Sequence, residues 1–232
     1  MMKKTNIFLI LLLSALLCTS VVMVYREIST QQKEKQEFDN LLEIVEPTEE
    51  SKTEQETSMP PETEKVTEPI ETEPPKRNLA PIFEMNSECI GWICIDGTNI
   101  NYPVMHTPDN PQKYLRKNFE GKYSQSGVPF LDARCNPIGG TLIVYGHNMK
   151  NGTQFSDLKK YLDTEFHNSH QTIELETKDG IRYYTVVDVI RTDIYDEIYN
   201  QINTDDNTLI LSTCYGSAKS GRLLIIAKEA TA

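Results

Sequence analysis

Leu209-Ile210-Leu211-Ser212-Thr213-Cys214, followed by Arg222-Leu223-Leu224-Ile225-Ile226-Ala227, is the stretch on which the fold turns. Both are short apolar runs of strand length, and the glycines of Tyr215-Gly216-Ser217-Ala218-Lys219-Ser220-Gly221 between them mark a tight or mobile loop. If the two runs lie side by side in a sheet, the thiol and the guanidinium sit at the same end. Upstream, a third apolar run, Thr141-Leu142-Ile143-Val144, leads through Tyr145-Gly146 to His147-Asn148. A thiol, an imidazole and a guanidinium at strand ends are the parts of a cysteine acyl-transfer site.

Working outward, the chain from residue 80 on is punctuated as short β-type runs at 90–95, 100–104, 128–131, 141–145, 172–176, 181–192, 208–213 and 222–228. Turn pairs such as Asp96-Gly97, Gly139-Gly140 and Asp179-Gly180 lie between them. Eight short strands argue for a mostly β fold, a closed barrel or sandwich, rather than a parallel α/β sheet. One helix is expected after Thr153, which would cap it, with Asp157 early and Phe155, Leu158, Tyr161 and Leu162 along one face. A shorter one is expected over residues 114–119.

The N-terminal third reads differently. Residues 7–25 are uncharged and rich in Leu, Val and Ile, about the length needed to cross ~30 Å of hydrocarbon. Lys3 and Lys4 precede this run and favour a cytoplasmic N-terminus with the rest outside, although Arg26 weakens the asymmetry. A cleaved signal peptide would have a shorter apolar region and an Ala-x-Ala cut site, which is absent; a lipoprotein reading of Cys18 needs a small residue where Leu17 stands. Residues 27–45 carry Phe38, Leu41, Leu42 and Val45 at helical spacing, as a juxtamembrane helix would. Residues 46–77 hold ten Glu against four Lys/Arg, interleaved with Thr and Pro, and cannot bury enough apolar surface to offset ordering entropy. As an extended stalk that segment reaches up to ~100 Å at about 3.1 Å per residue; the alternative is a tolerated low-complexity insertion. The expected organisation is thus an anchor at 1–26, a juxtamembrane helix at 27–45, a stalk at 46–78 and a catalytic domain at 79–232. The net charge of −11, without a basic stripe, argues against a nucleic-acid partner.

Each candidate site residue has an ordinary explanation when taken alone. A strand-end cysteine is more often a buried small hydrophobe, a lone histidine a surface or capping group, and an arginine at a strand edge a solvated charge. What favours chemistry is the conjunction, since a nearby cation lowers a thiol's pKa and makes it a nucleophile. Of the five cysteines, Cys18 lies in the apolar run, and Cys89, Cys94 and Cys135 read as packing thiols. No Cys-x-x-Cys pair suggests zinc or thioredoxin-type chemistry. His106, His167 and His170 read as exposed loop residues, and Asp132 as either a turn cap or an orienting group for the site.

Tyr145-Gly146-His147-Asn148-Met149-Lys150-Asn151-Gly152-Thr153-x-Phe155-x-x-Leu158 closely resembles the histidine motif of class B sortases. Leu211-Ser212-Thr213-Cys214 with Arg222 resembles their cysteine and arginine motif at the same spacing, and Gly91-Trp92-Ile93, Gly97-Thr98-Asn99-Ile100-Asn101-Tyr102-Pro103-Val104 and Gly127-x-x-Phe130-Leu131-Asp132-x-Arg134 are similar to segments of that class. The resemblance covers about residues 82–228. It implies an eight-stranded sortase-type β-barrel and a membrane-anchored, single-pass cysteine transpeptidase with its catalytic domain outside the cell of a Gram-positive bacterium. By that resemblance Cys214 attacks a Thr–Gly-type bond in the sorting signal of a surface protein. His147 is the acid and then the base, and Arg222 holds the substrate carbonyl and oxyanion with the Tyr215 backbone N–H. Leu115 and Ser212 are implied groove residues. No cofactor is expected, because the thioester keeps the energy of the broken bond, and the acceptor is a peptidoglycan precursor or another amine. The connection at 193–207 is too short for the long helix that many class B members carry there. Two alternatives remain: a pilus-assembling sortase that uses a pilin lysine, and a non-catalytic stalked surface protein that binds a ligand. A papain-like hydrolase would place its cysteine before its histidine, the reverse of the order here.

Overall fold

The apolar runs of the sequence close into one barrel. The computed structural model describes residues 4–46, 77–202, 204 and 206–230. Its strands are β1 (Cys89–Cys94), β2 (Asn101–Met105), β3 (Phe130–Leu131), β4 (Leu142–Tyr145), β5 (Thr172–Thr177), β6 (Gly180–Asp193), β7 (Thr208–Cys214) and β8 (Gly221–Glu229). Around the barrel they run β1-β2-β3-β4-β7-β8-β6-β5 and back to β1. Closure removes the unpaired edges that an open sheet would present.

Two pairings are parallel, β2 with β3 and β4 with β7; the others are antiparallel. The β4–β7 pairing matters most. It brings the C-terminal ends of both strands to one rim, and antiparallel β8 starts at that rim. Residues 208–213 of β7 are buried throughout, which is why that strand reads as a continuous apolar run instead of an alternation. The core includes Trp92, Ile93, Leu175, Leu211 and Ile225, all at most 1% exposed; Trp92 and Ile93, adjacent on β1, lie on opposite faces of the sheet and both are covered. Trp92 brings a polar group into this core, and its indole N–H is satisfied by Asn101 Oδ1 at 2.5 Å.

The helices depart further from expectation. Residues 155–162 form a 3-10 helix with Phe155, Ser156, Leu158 and Tyr161 buried. Thr153 does not cap it: its hydroxyl donates to Asn151 Oδ1 within the preceding loop, and Gln154 stands at the helix entry. A side chain that can bond a closer partner competes with the cap, as threonine commonly does. The expected short helix at 114–119 is a single 3-10 turn, Lys113–Arg116, and the strand expected at 128–131 has only two ladder residues.

The chain divides into two compact units, Met1–Asp39 and Asn40–Ala232. Helix α1 runs Lys4–Val45 without a break, so the apolar run and the expected juxtamembrane helix are one backbone element. Part of it is long and apolar enough to be a candidate membrane span. Within the second unit, Leu41 and Val45 are buried and the Asn78 N–H donates to the Val45 carbonyl at 3.0 Å. Residues 47–76, nearly all of the expected stalk, lie outside the described residues.

Candidate active site

The rim shared by β4, β7 and β8 carries the three residues singled out by sequence. Tyr145 pairs with Ser212 in the parallel register, so the chain beyond β4 continues with Gly146 beside Thr213 and His147 beside Cys214. Three hydrogen bonds hold that extension. Gly146 N–H donates to Ser212 O at 3.1 Å, Thr213 Oγ1 donates to Gly146 O at 2.7 Å, and Asn148 Nδ2 donates to Cys214 O at 2.8 Å. On the other side, Cys214 and Arg222 are direct cross-strand partners. Neighbouring strands lie about 4.8 Å apart, so imidazole, thiol and guanidinium come to one rim from the extension just past β4, the end of β7 and the start of β8. Gly146 is required there, because a Cβ would fall 2.5 Å from the buried Phe155 ring beneath it.

Cys214 is exposed, whereas Cys89 and Cys135 are buried and Cys94 is half-buried; all are free thiols. Burial pushes the Cys89 thiol up to about 12 and raises Cys94 and Cys135 as well, so these three stay protonated and serve packing. Cys214 instead opens, with His147 and Arg222, into a cleft of about 520 Å³ whose walls include Leu115, Ser212 and Tyr199. The Leu115 carbonyl lies 2.9 Å from His147 Nε2. Arg222 is half-buried and spends Nη1 on the carbonyls of Lys219 and Gly221, at 3.1 and 2.8 Å.

Tyr215 needs correction. Its backbone N–H donates to the Gly221 carbonyl at 3.0 Å, closing the β7–β8 loop, and its ring lies 5.5 Å from the Arg191 guanidinium. That N–H is therefore committed to the loop and not offered to an oxyanion, and Tyr215 is not among the cleft-lining residues. The histidines set aside by sequence also differ from expectation: His106, His167 and His170 are half-buried, with His170 stacked on Phe166 at 4.1 Å between ring centroids. Among the described residues no group of three or more His, Cys, Asp or Glu is placed to hold a metal.

The far wall of the cleft is a network built on Asp132. Its carboxylate accepts from the Arg134 guanidinium at 2.8 and 2.9 Å, from the Arg134 backbone N–H at 3.0 Å and from the Tyr145 hydroxyl at 2.8 Å. Arg134 also donates to the Tyr199 carbonyl at 3.0 Å, the Tyr145 and Tyr199 rings stack at 6.3 Å, and the Tyr199 hydroxyl bonds Ser212 Oγ at 2.8 Å. So Asp132 both caps a turn and orients the wall. Arg134, Tyr145, Tyr199 and Asn148 were not singled out as groove residues; Arg134, Tyr145 and Asn148 stood within quoted motifs, as letters without a role, and Tyr199 in none.

Burial alone would raise the Asp132 pKa, but the donors from Arg134 and Tyr145 outweigh it and hold the carboxyl below its ordinary range. A carboxyl depressed in the folded state adds stability above its unfolded pKa of about 3.9, and loses it as pH falls through the lower folded value. Asp132→Asn is expected to lower Tm at neutral pH, with the gap to wild type closing progressively below about pH 4. A gap constant from pH 7 down to pH 2 would contradict this assignment.

Comparison with known proteins agrees with this geometry. A sortase domain family model matches residues 93–230. Sortase B of Listeria monocytogenes is 36% identical over 110 residues, covering 47% of this chain and 44% of that protein, so the matched stretch spans less than half of the relative. Sortase B of Staphylococcus aureus is 30% identical over 187 residues, 66% of this chain and 76% of that protein. Among solved structures, sortase B from Bacillus anthracis superposes with a TM-score of 0.58 at 31% identity, covering 67% of this chain and 86% of that one. A Staphylococcus aureus sortase B–substrate complex superposes with a TM-score of 0.57 at 26% identity, covering 65% and 83%. With its closed barrel and its histidine, cysteine and arginine on one rim, the chain belongs to the sortase family of cysteine transpeptidases, within class B.

Proposed function

We propose that this chain cuts the sorting signal of a surface protein at a Thr–Gly-type bond through a thioester on Cys214 and passes the acyl group to a cell-wall amine. The observation that carries this reading is the exposed Cys214 between His147 and Arg222 at the mouth of a cleft large enough for an extended peptide. The Cys214 thiolate attacks the threonine carbonyl carbon, and the negative charge moves to the carbonyl oxygen. Arg222 meets that charge with Nε and Nη2, which its loop contacts leave uncommitted. Collapse breaks the C–N bond, the imidazolium of His147 protonates the departing glycine amine, and the acyl group stays on sulfur. An incoming amine then gives its proton to His147 and attacks the thioester; the C–S bond breaks and the thiolate returns. Splitting the exchange into two steps lets one site serve donor and acceptor in turn.

Leu115 and Ser212 would contact the donor peptide, since both line the cleft into which Cys214, His147 and Arg222 open. The apolar part of α1 would anchor the chain in a single pass with the N-terminus inside, residues 46–78 would act as a spacer, and residues 79–232 as the catalytic domain. The test uses the full chain in detergent with a quenched fluorescent peptide containing a Thr–Gly bond. Cleavage should be accompanied by a mass increase on Cys214 equal to the acyl fragment, and added oligoglycine or diaminopimelate amine should convert hydrolysis product into ligated product. Cleavage without any acyl adduct, or with no partition to amines at any concentration, would refute the transfer mechanism. A pilin lysine peptide outcompeting both wall amines would favour the pilus-assembly reading.

A further inference from the structure

Gln154 is the one non-glycine residue with positive φ among the described residues, at φ +57° and ψ −133°. Such a backbone is unfavourable for any residue with a Cβ and persists only where its surroundings over-determine it. The side chain is fully buried, and its Oε1 has no hydrogen-bond partner among the described residues. A strained backbone and an unmatched buried acceptor in one residue are two costs that need a reason.

The neighbours supply one. Gln154 forms an isolated bridge with Asn148, and the next N–H, that of Phe155, donates to the His147 carbonyl at 2.9 Å, so residue 154 closes the loop that begins at His147. Its backbone N–H is held by the Tyr102 hydroxyl at 3.1 Å. Its side-chain Nε2 reaches away from that loop and donates to the Gly127 carbonyl at 3.2 Å. Gly127, at φ +61°, packs so closely on the turn at Lys113–Arg116 that a Cβ would stand 2.4 Å from the Tyr114 carbonyl oxygen and 2.7 Å from that of Leu115. The Leu115 oxygen is the atom 2.9 Å from His147 Nε2. Gln154 therefore grips both partners of one hydrogen bond: by its backbone the loop that carries the imidazole, and by its amide the segment that presses the carbonyl toward it.

We infer that Gln154 is a positioning residue that keeps the Leu115 carbonyl on His147 Nε2 and so fixes which ring nitrogen exchanges protons during transfer. A carbonyl only accepts, so Nε2 carries a hydrogen in both charge states and the exchangeable proton is the one on Nδ1. The same contact favours the imidazolium over the neutral ring, because a hydrogen bond from a charged donor is the stronger one. The catalytic meaning of this contact rests on the transpeptidase reading; the tautomer and the pKa of His147 do not.

Two measurements on the full chain in detergent test it. First, in Cys214→Ala protein labelled with 15N-histidine, whose four histidines can be told apart, neutral His147 should show the Nε2–H tautomer. Changing Gln154 to Met in that background, which keeps the volume and removes the amide, should lower the His147 pKa by roughly half a unit to one unit. Second, in the otherwise unaltered chain Gln154→Met should reduce kcat about tenfold with little change in KM and move the alkaline limb of the pH–rate profile to lower pH. Tm should hold or rise, since the unmatched acceptor is gone; the conservative Gln154→Glu, with its protonated form able to donate to Gly127, should recover rate as pH falls. An Nδ1–H tautomer in the wild-type ring overturns the inference even if the variants fail to fold, as does an unchanged His147 titration in folded Gln154→Met. Absence of turnover in the unaltered chain would instead sink the transpeptidase reading and leave the histidine measurement standing.

Discussion

Cys214→Ala is expected to abolish both cleavage and transfer, with a loss on the order of 10⁶-fold in kcat, the scale seen when a nucleophile acting as part of a unit is removed. The variant should bind donor peptide as the parent does, because Leu115, Ser212 and the network behind them are untouched. It should also keep its Tm: Cys214 is exposed, forms no disulfide, and contributes its backbone to β7, which alanine retains. Intact-mass measurement after incubation with the peptide gives the decisive readout. The unaltered chain should carry an acyl adduct and the variant none. Turnover surviving in Cys214→Ala, or an adduct mapped to Cys89, Cys94 or Cys135, would remove Cys214 from the mechanism; burial and raised pKa values make those three poor competitors.

Arg222→Ala is expected to cost about 10²–10³-fold in kcat, the range for removing one donor aimed at charge that develops in the transition state. Arg222→Lys should recover only part of this. The guanidinium bonds two loop carbonyls through Nη1 and still has Nε and Nη2 to present, whereas an ammonium has one tetrahedral donor group and cannot keep both engagements in the same geometry. KM should change far less than kcat in both variants. Equal losses in KM and none in kcat would mean that Arg222 binds the ground state only. A shared fall in Tm would mean that its main duty is holding the 215–221 loop, in which Tyr215 and Gly221 already close on each other.

These two variants probe residues that were visible in the sequence, and the reason is physical. A strand buried on both faces has nowhere to hide an exposed polar group except at its end, so a thiol after Leu209–Thr213 and an imidazole after Thr141–Tyr145 stand out. Strand-length apolar or β-branched runs separated by turn pairs made the eight strands readable, with bounds that differ from the observed ones by one or two residues at most ends. Short irregular elements were less readable. At Thr153, the Asn151 side chain wins the hydroxyl from the helix, a contest between local partners that residue type alone does not decide. At Tyr215, the fate of a backbone N–H depends on how tightly Gly221 closes the loop. Tyr199 becomes a cleft wall only because a short connection after β6 lays it against Ser212 and the ring of Tyr145.

Read as a string, then, the chain specified its strand-forming segments, the chemistry at three strand ends and an apolar run long enough to span a bilayer. All of these follow from local composition and period, which need no knowledge of distant partners. The tertiary structure decided that β4 and β7 run parallel at neighbouring positions, that Asp132 and Tyr199 build the wall facing Cys214, and that Gln154 is held in a strained backbone against Gly127. Each of those facts depends on contacts between segments far apart in sequence, whose closure is dictated by the packing of the whole barrel and by no single stretch of it.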